Sequence, residues 1–316
     1  MRNAFQKQNG LILVGDLARA SEDDRPLREA HRQQELSRIR RGAYVPSLIA
    51  RAATRDERYD LRIAAVVGTR RSPVVVSHYS AARLWQLSIV NTWPKEVHLT
   101  VEPESGRRSK NGVLVHRGSL ESGEIIERDG FLATSLVRTL TDLARVAPFR
   151  DAVSAIDHAL HRRLTTQDEL LVSLAEHNLS WGQRRASRAI EFASPLAKLP
   201  GESFSRVLMH ELGFPAPELQ HEFPRAIGGR HFADFWWSGI GLIGEFDGKE
   251  KYQNQEYTQG QSAMSVFWAE KQRENELSEH HVRLRRWVWR DLELVQPFVD
   301  RLESAGLRRA STRAQR

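Results

Sequence analysis

Three carboxylates stand close together in a stretch that is otherwise apolar and aromatic. Residues 230–252 read R-H-F-A-D-F-W-W-S-G-I-G-L-I-G-E-F-D-G-K-E-K-Y, with Asp234, Glu245 and Asp247 as the acids and Lys249 and Lys251 just beyond. Gly239 and Gly241 lie where a tight hairpin wants glycine, and the spacing predicts a two-residue type II′ turn at Gly239-Ile240, with Gly239 supplying the positive φ of the first central position. That register pairs Trp237 with Leu242, Phe235 with Gly244 and Asp234 with Glu245. Asp247 then falls opposite Phe232, and all three carboxylates share one face, because side chains alternate with period two. Like charges directly opposed destabilise a sheet, so a cation is expected among them. It is either a divalent metal with oxygen ligands or a basic side chain such as Lys249, Lys251 or an arginine.

The elements that must hold these residues can be read around them. Ser194 to Pro200 (S-P-L-A-K-L-P) has two prolines and no periodic pattern, which marks a linker. After it the pattern predicts a helix over 203–212, strands near 218–223, 231–237 and 242–248, a helix over 262–279, a strand over 282–289 and a helix over 291–304. In the 262–279 helix, Val266, Ala269 or Glu270, Arg273 and Leu277 share a stripe. Two charges on an inward stripe either face the carboxylates or form an ion pair of their own.

The residues D…E-x-D-G-K-x-K-Y resemble the PD-(D/E)XK nuclease superfamily, and within it the C-terminal domains related to very-short-patch-repair endonucleases. The similarity covers about Leu199 to Leu302. It matches Glu202 in G-E-S-F-S-R to the acid that opens the first helix, Asp234 to the strand-end aspartate, and Glu245, Asp247 and Gly248 to E-x-D-G. Glu270, Lys271, Arg273 and Leu277 match E-K-x-R-x-x-x-L, and Arg286, Trp287, Trp289, Asp291 and Leu292 match R-W-x-W-x-D-L. Where a plain E-x-K would carry lysine, Asp247 stands, so Lys249 completes a D-G-K version or Lys251 or Lys271 takes the role. The resemblance implies a restriction-endonuclease-like α/β fold. It implies Mg²⁺ on Asp234, Glu245 and Asp247, with Glu202 completing the site and a lysine beside the scissile phosphate.

The N-terminus reads differently. A helix is expected over 3–8, a second over 15–20 with Leu17 and Ala18 inward, and a third from an Asp24 cap through Arg25-Pro26 to about Ser37. Leu27, Ala30, Gln34 and Ser37 or Leu36 would form the inner stripe of the third. Ile39 to Val45 (I-R-R-G-A-Y-V) follows as a β-ribbon about Gly42. Three short helices and a basic ribbon are the order of a winged helix-turn-helix, which places its third helix in the major groove. Arg25, Arg28, Arg32, Arg40 and Arg41 are the expected DNA contacts; solvated surface arginines are the plain alternative. The region 4–170 also resembles the N-terminal part of the AbiEi-type antitoxin family, through R-R-G-A-Y-V (40–45), V-S-H-Y-S-A-A-R-L-W-Q-L (76–87) and A-T-S-L-V-R-T-L-T-D-L-A-R (133–145). That likeness implies a DNA-binding repressor with a cognate toxin or a second copy of itself as partner.

The middle region is α+β. Helices are expected over 77–87, from Thr134 or Ser135, over 149–161, after a Thr165/Asp168 capping box, and over 182–193. Strands at 96–101 and 113–117 flank a basic loop with Arg107, Arg108 and Lys110, read as a hairpin. His78, His98, His116 and His158 lack ligand spacing and are read as ordinary surface or core residues.

Composition sets the outer bounds. The chain has 316 residues, enough for two or three domains, and carries a net charge of +7, which suits a polyanionic partner. Without cysteine it has neither disulfides nor thiolate metal sites, which fits a reducing cytoplasm. The start M-R-N-A-F-Q-K-Q-N-G is not a signal peptide, and no apolar run nears the ~20 residues of a membrane span. P-loop, dinucleotide and H-E-x-x-H motifs are absent, and Gly201-Glu202-Ser203 does not complete a nucleophile elbow. The expectation is an α+β multidomain protein: a winged helix (1–50), an α+β middle (51–193), a linker (194–200), an α/β nuclease-like domain (201–305) and a basic tail (306–316). Double-stranded DNA is its expected partner. It is read either as a Mg²⁺-dependent endonuclease or as a non-enzymatic antitoxin-repressor with a degenerate nuclease fold.

Overall fold

In the computed structural model the described residues are 10–19, 23–106, 108–177, 181–225, 229–248 and 282–310. They form a mixed α/β chain of several helices and three sheets, gathered into two units. The first unit takes in residues up to 155 together with 165–192; the second takes 156–164 and everything from 193 onward.

The first unit begins with β1 (Ile12–Leu13), α1 (Val14–Arg19), α2 (Arg25–Arg32), β2 (Leu36–Arg40) and β3 (Ala43–Pro46), the strands ordered β1-β3-β2 and all antiparallel. The third expected helix stops short of Ser37. Gln34 adopts φ +61°, a left-handed value that ends α2, and the chain turns directly into β2. No residue of α2 is buried, so the stripe through Leu27 and Ala30 is not a core face. Gly42, at φ +82°, turns the ribbon. The expected 3–8 helix lies outside the described residues.

After α3 (Ser47–Ala52) and α4 (Arg55–Gly68), a five-stranded sheet is ordered β6-β5-β4-β8-β7. Its strands are β4 (Val75–Val76), β5 (Val97–Val101), β6 (Val113–Arg117), β7 (Ile125–Arg128) and β8 (Phe131–Thr134), and α5 (His78–Leu84) follows β4. Strands β5 and β6 pair in parallel, Thr100 beside His116, so residues 102–112 are a crossover and not the expected hairpin loop. Helices α6 (Leu136–Val146), α7 (Phe149–His161), α8 (Gln167–Glu176) and α9 (Gln183–Phe192) complete this part. Ser135 caps α6 through the Arg138 N–H, and the capping box of α8 uses Thr166 and Glu169, one residue later than expected.

The second unit carries α10 (Pro200–Glu211), β9 (Glu218–Pro224), β10 (Arg230–Trp237), β11 (Leu242–Asp247), β12 (Arg283–Val288), α11 (Trp289–Leu294) and α12 (Gln296–Ser304). Pro200 starts α10 in its first turn, where its missing N–H costs nothing. The sheet order is β12-β11-β10-β9; β9, β10 and β11 are antiparallel and β12 runs parallel to β11. The single helix expected over 291–304 is two, separated by Val295 at φ +63° before Gln296-Pro297. Among the described residues no helix is long and apolar enough to cross a membrane.

Candidate functional site

The acidic hairpin forms with the expected register: Trp237 pairs with Leu242 and Phe235 with Gly244. The turn differs. Ser238–Ile240 makes a 3₁₀ turn and Gly241, not Gly239, takes the left-handed conformation at φ +58°. The ladder ends at Phe235–Gly244; beyond it the Phe246 N–H donates to Asp234 Oδ2 at 3.0 Å. Gln220, left-handed at φ +53° on β9, donates its side-chain amide to Asp234 Oδ1 at 3.2 Å. Asp234 is thus held from both neighbouring strands.

Two glycines bring the rest into place. A Cβ on Gly244 would lie 2.4 Å from the Trp287 ring, so this glycine lets β12 lay its tryptophan across β11. Trp287 stacks on Phe235 at 5.3 Å and donates its indole N–H to Ser205 Oγ at 2.8 Å. A Cβ on Gly201 would come within 2.1 Å of the Phe246 ring, so the first turn of α10 rests directly on β11. The next residue, Glu202, is buried; Oε2 accepts the Lys198 backbone N–H at 2.8 Å. Burial pushes its carboxyl up to about 8, with repulsion from Asp234 adding to the shift. Lys198, just before α10, also donates from Nζ to Gln220 Oε1 at 2.5 Å, tying that segment to the side chain that holds Asp234.

Glu245 is buried and ion-paired: Arg286, beside it on the parallel strand, donates Nε to Oε2 at 3.1 Å. Asp247 is half-buried beside Val288. Lys249, Lys251, Glu270, Lys271 and Arg273 lie outside the described residues. Glu202 and Asp234 are therefore neighbours, while Glu245 carries its own cation. Among the described residues no three of His, Cys, Asp and Glu gather as a metal-ligand set. The donor chemistry itself, carboxylate oxygens on α10, β10 and β11, suits a hard cation such as Mg²⁺. The remaining R-W-x-W-x-D-L residues are architectural. Trp289 meets Phe246 edge-on at 5.3 Å, and Asp291 accepts the Val288 N–H at 3.1 Å at the start of α11.

The N-terminal arginines present a second surface. Arg25, Arg28 and Arg32 project from α2 into solvent, paired with Asp23, Asp24 and Glu29 respectively. Arg41 is exposed at the ribbon turn. Arg40 is half-buried, and its Nε and Nη1 have no hydrogen-bond partner. Burial, and the charge of Arg70, lower its pKa.

Sequence reasoning passed over a third cluster. His78 stacks on His116 with centroids 3.5 Å apart, and His116 Nε2 lies 3.0 Å from His98 Nδ1. Burial holds all three imidazoles neutral, His98 down to about 3 and His116 to about 4. Strand pairing and α5 bring them together from 78, 98 and 116, so no short spacing announces them. His158 is not among them.

No family model matches the chain. Two proteins of Mycobacterium tuberculosis are similar to it: the uncharacterized protein MT2308 (strain CDC 1551 / Oshkosh) and the uncharacterized protein Rv2248 (strain ATCC 25618 / H37Rv). Each is 28% identical over 219 residues, which is 68% of this chain and 74% of the relative. The crystal structure of RV2827C protein from Mycobacterium tuberculosis aligns with a TM-score of 0.40 at 16% identity, over 59% of this chain and 73% of that one.

Proposed function

We propose that the chain is a DNA-binding protein whose C-terminal unit hydrolyses phosphodiester bonds with Mg²⁺. The observation that supports this most is the burial of Glu202 on α10, where its carboxyl is raised by burial and by repulsion from Asp234 on β10. A helix, three antiparallel strands and a fourth strand parallel to the third make a mixed α/β unit, which is compatible with this reading. Glu202, Asp234, Glu245 and Asp247 would hold the ion, which supplies Lewis acidity and lowers the pKa of a bound water. Glu202 must release its proton to bind a cation, so affinity should rise with pH up to about 8. Asp234 is already oriented by Gln220 and the Phe246 N–H. Lys249 is the first candidate to stabilise charge on the phosphate, with Lys251 and Lys271 behind it. The arginines of α2 and the ribbon, Arg25, Arg28, Arg32, Arg40 and Arg41, would seat the duplex as a winged helix does.

The test is plasmid and single-stranded DNA incubated with the full chain and Mg²⁺ or Mn²⁺, beside Asp234→Asn. Loss of cleavage in the variant with DNA binding retained is the expected result; cleavage equal to the parent's places the activity elsewhere.

The Arg286–Glu245 pair favours a second reading, a non-enzymatic DNA-binding repressor of antitoxin type, working with a cognate toxin or as a dimer. Glu245→Gln distinguishes the two. It removes the charge that accepts from Arg286 Nε, so the variant should melt lower, by about 1–3 kcal/mol of stability. If millimolar Mg²⁺ then raises the melting temperature of neither protein, the metal-site reading fails and the repressor remains. If Mg²⁺ stabilises the parent and not the variant, the hydrolase reading stands.

A further inference from the structure

Within the first unit a cavity of about 490 Å³ opens between the β5–β6 face and α6. That is within the roughly 300–1,000 Å³ usual for small-molecule sites. It is far from uniform chemically. Two buried acceptors line it without a hydrogen-bond partner. Asp142, whose side chain is 7% exposed, gives Oδ1 to Arg138 Nε at 3.0 Å, while Oδ2 accepts no hydrogen bond and lies 4.0 Å from His78 Nδ1. Thr100, buried on β5, has a hydroxyl that is likewise unmatched. A buried polar atom left unmatched costs about 1–3 kcal/mol, so two on residues that line one cavity call for a donor from outside the chain.

The charge around them is of the other sign. Arg117, Arg138 and Arg145 line the cavity, and Asp142 is the one carboxylate that does so among the described residues. Arg138 is offset by Glu124 at 2.9 Å as well as by Asp142. Arg117 donates to Pro103 O, a neutral carbonyl that leaves its cationic charge in place, and Arg145, which also interacts with the Asp142 charge, donates to Trp181 O. His78 and His116 add no positive charge, since burial keeps them neutral. The two rings stack on each other, and both line the cavity. Trp181, 69% exposed, stands at the lining. Its position follows from Gly182, which at φ +78° brings its Cα so close to Arg145 that a Cβ would meet the Arg145 carbonyl oxygen at 2.9 Å. The three imidazoles do not form a metal-ligand set.

We infer that this cavity binds a nucleoside monophosphate. A planar base packs against the His78–His116 stack and donates a ring or amino N–H to Asp142 Oδ2 and the Thr100 hydroxyl, while the phosphate pairs with Arg117 and Arg145. Neither inorganic phosphate nor an uncharged nucleoside would satisfy both halves. The site lies in the first unit and does not depend on the carboxylates of the second.

Isothermal titration of the full chain with AMP, GMP, CMP and UMP tests it, with inorganic phosphate and the matching nucleosides as comparison. At least one monophosphate should bind saturably, and more tightly than phosphate or its own nucleoside. Thr100→Val and Arg117→Ala should each weaken it roughly 2- to 10-fold, the worth of one hydrogen bond or exposed charge contact. Thr100→Val without ligand should melt no lower than the parent, because the hydroxyl it removes has no partner. Arg117 is exposed, so its loss leaves the fold intact and gives an independent reading. No binding by any of the four, phosphate alone binding as tightly, or unchanged affinity in Arg117→Ala would each overturn the assignment.

Discussion

Glu202 sits between structure and chemistry. Its carboxyl keeps a proton up to about 8 in the folded chain, against an ordinary value of 4.5. Between those values the folded state holds a proton that the unfolded state has lost. This contribution therefore weakens stability as pH rises from about 4.5 to about 8. Buried Asp157, raised to about 6, adds a loss of the same sign over a narrower range. Glu202→Gln should flatten the upper part of the slope. Urea midpoints of parent and variant at pH 5, 6.5 and 8 measure it, and parallel pH profiles would mean that Glu202 is not buried beside Asp234. The types of these residues were plain in the sequence, but their environment was not. Asp234 is oriented by Gln220, a non-glycine residue in a left-handed conformation that no local signal marks. Arg286 could be noticed as part of R-W-x-W, yet only the parallel register sets it on Glu245.

At the scale of elements, tight packing decides more than propensity. Gly201 and Gly244 are needed because ring atoms of Phe246 and Trp287 occupy the space a Cβ would take. Gly201→Ala should force α10 off β11 and cost about 1–3 kcal/mol, as overpacked sites do. Chemical denaturation measures that directly. A variant as stable as the parent would show that α10 can shift without penalty. Alternation and glycine placement made the β10–β11 register legible, since a slip of one residue would turn Phe235 and Trp237 away from the core. Breaks at Gln34 and Val295 were not legible, because residues with side chains carry the left-handed φ there. The parallel pairing of β5 with β6 was missed for another reason. A short basic connection reads as a hairpin unless the partner strand's direction is known. The histidine cluster draws on this sheet as well, with His116 placed beside Thr100 and two residues from the level of His98.

For the molecule as a whole, charge is the property most directly tied to the proposed function. A surplus of +7 favours polyanions, and α2 displays its arginines without burying any residue. The pairs to Asp23, Asp24 and Glu29 are exposed and should contribute little to stability. Replacing Arg25, Arg28 and Arg32 together by alanine should thus leave melting nearly unchanged while weakening DNA binding. For every phosphate that an arginine no longer neutralises, the slope of log affinity against log salt should fall by about one. Fluorescence anisotropy of a labelled duplex at several salt concentrations reads this, and an unchanged slope would remove α2 from the interface.

The second unit takes residues 156–164 from the far half of α7, well before the proline-rich stretch at 194–200. Asp157 in that segment accepts the Ser194 N–H at 2.7 Å and Arg206 Nη1 at 2.9 Å, from a fully buried position. A recombination event that joined the C-terminal region to another gene at 194–200 would pass on Arg206 without the aspartate it pairs with. The visible seam in the sequence is therefore not where the gene can be cut. Heritable transfer of this unit as a working cassette requires a breakpoint upstream of α7's second half.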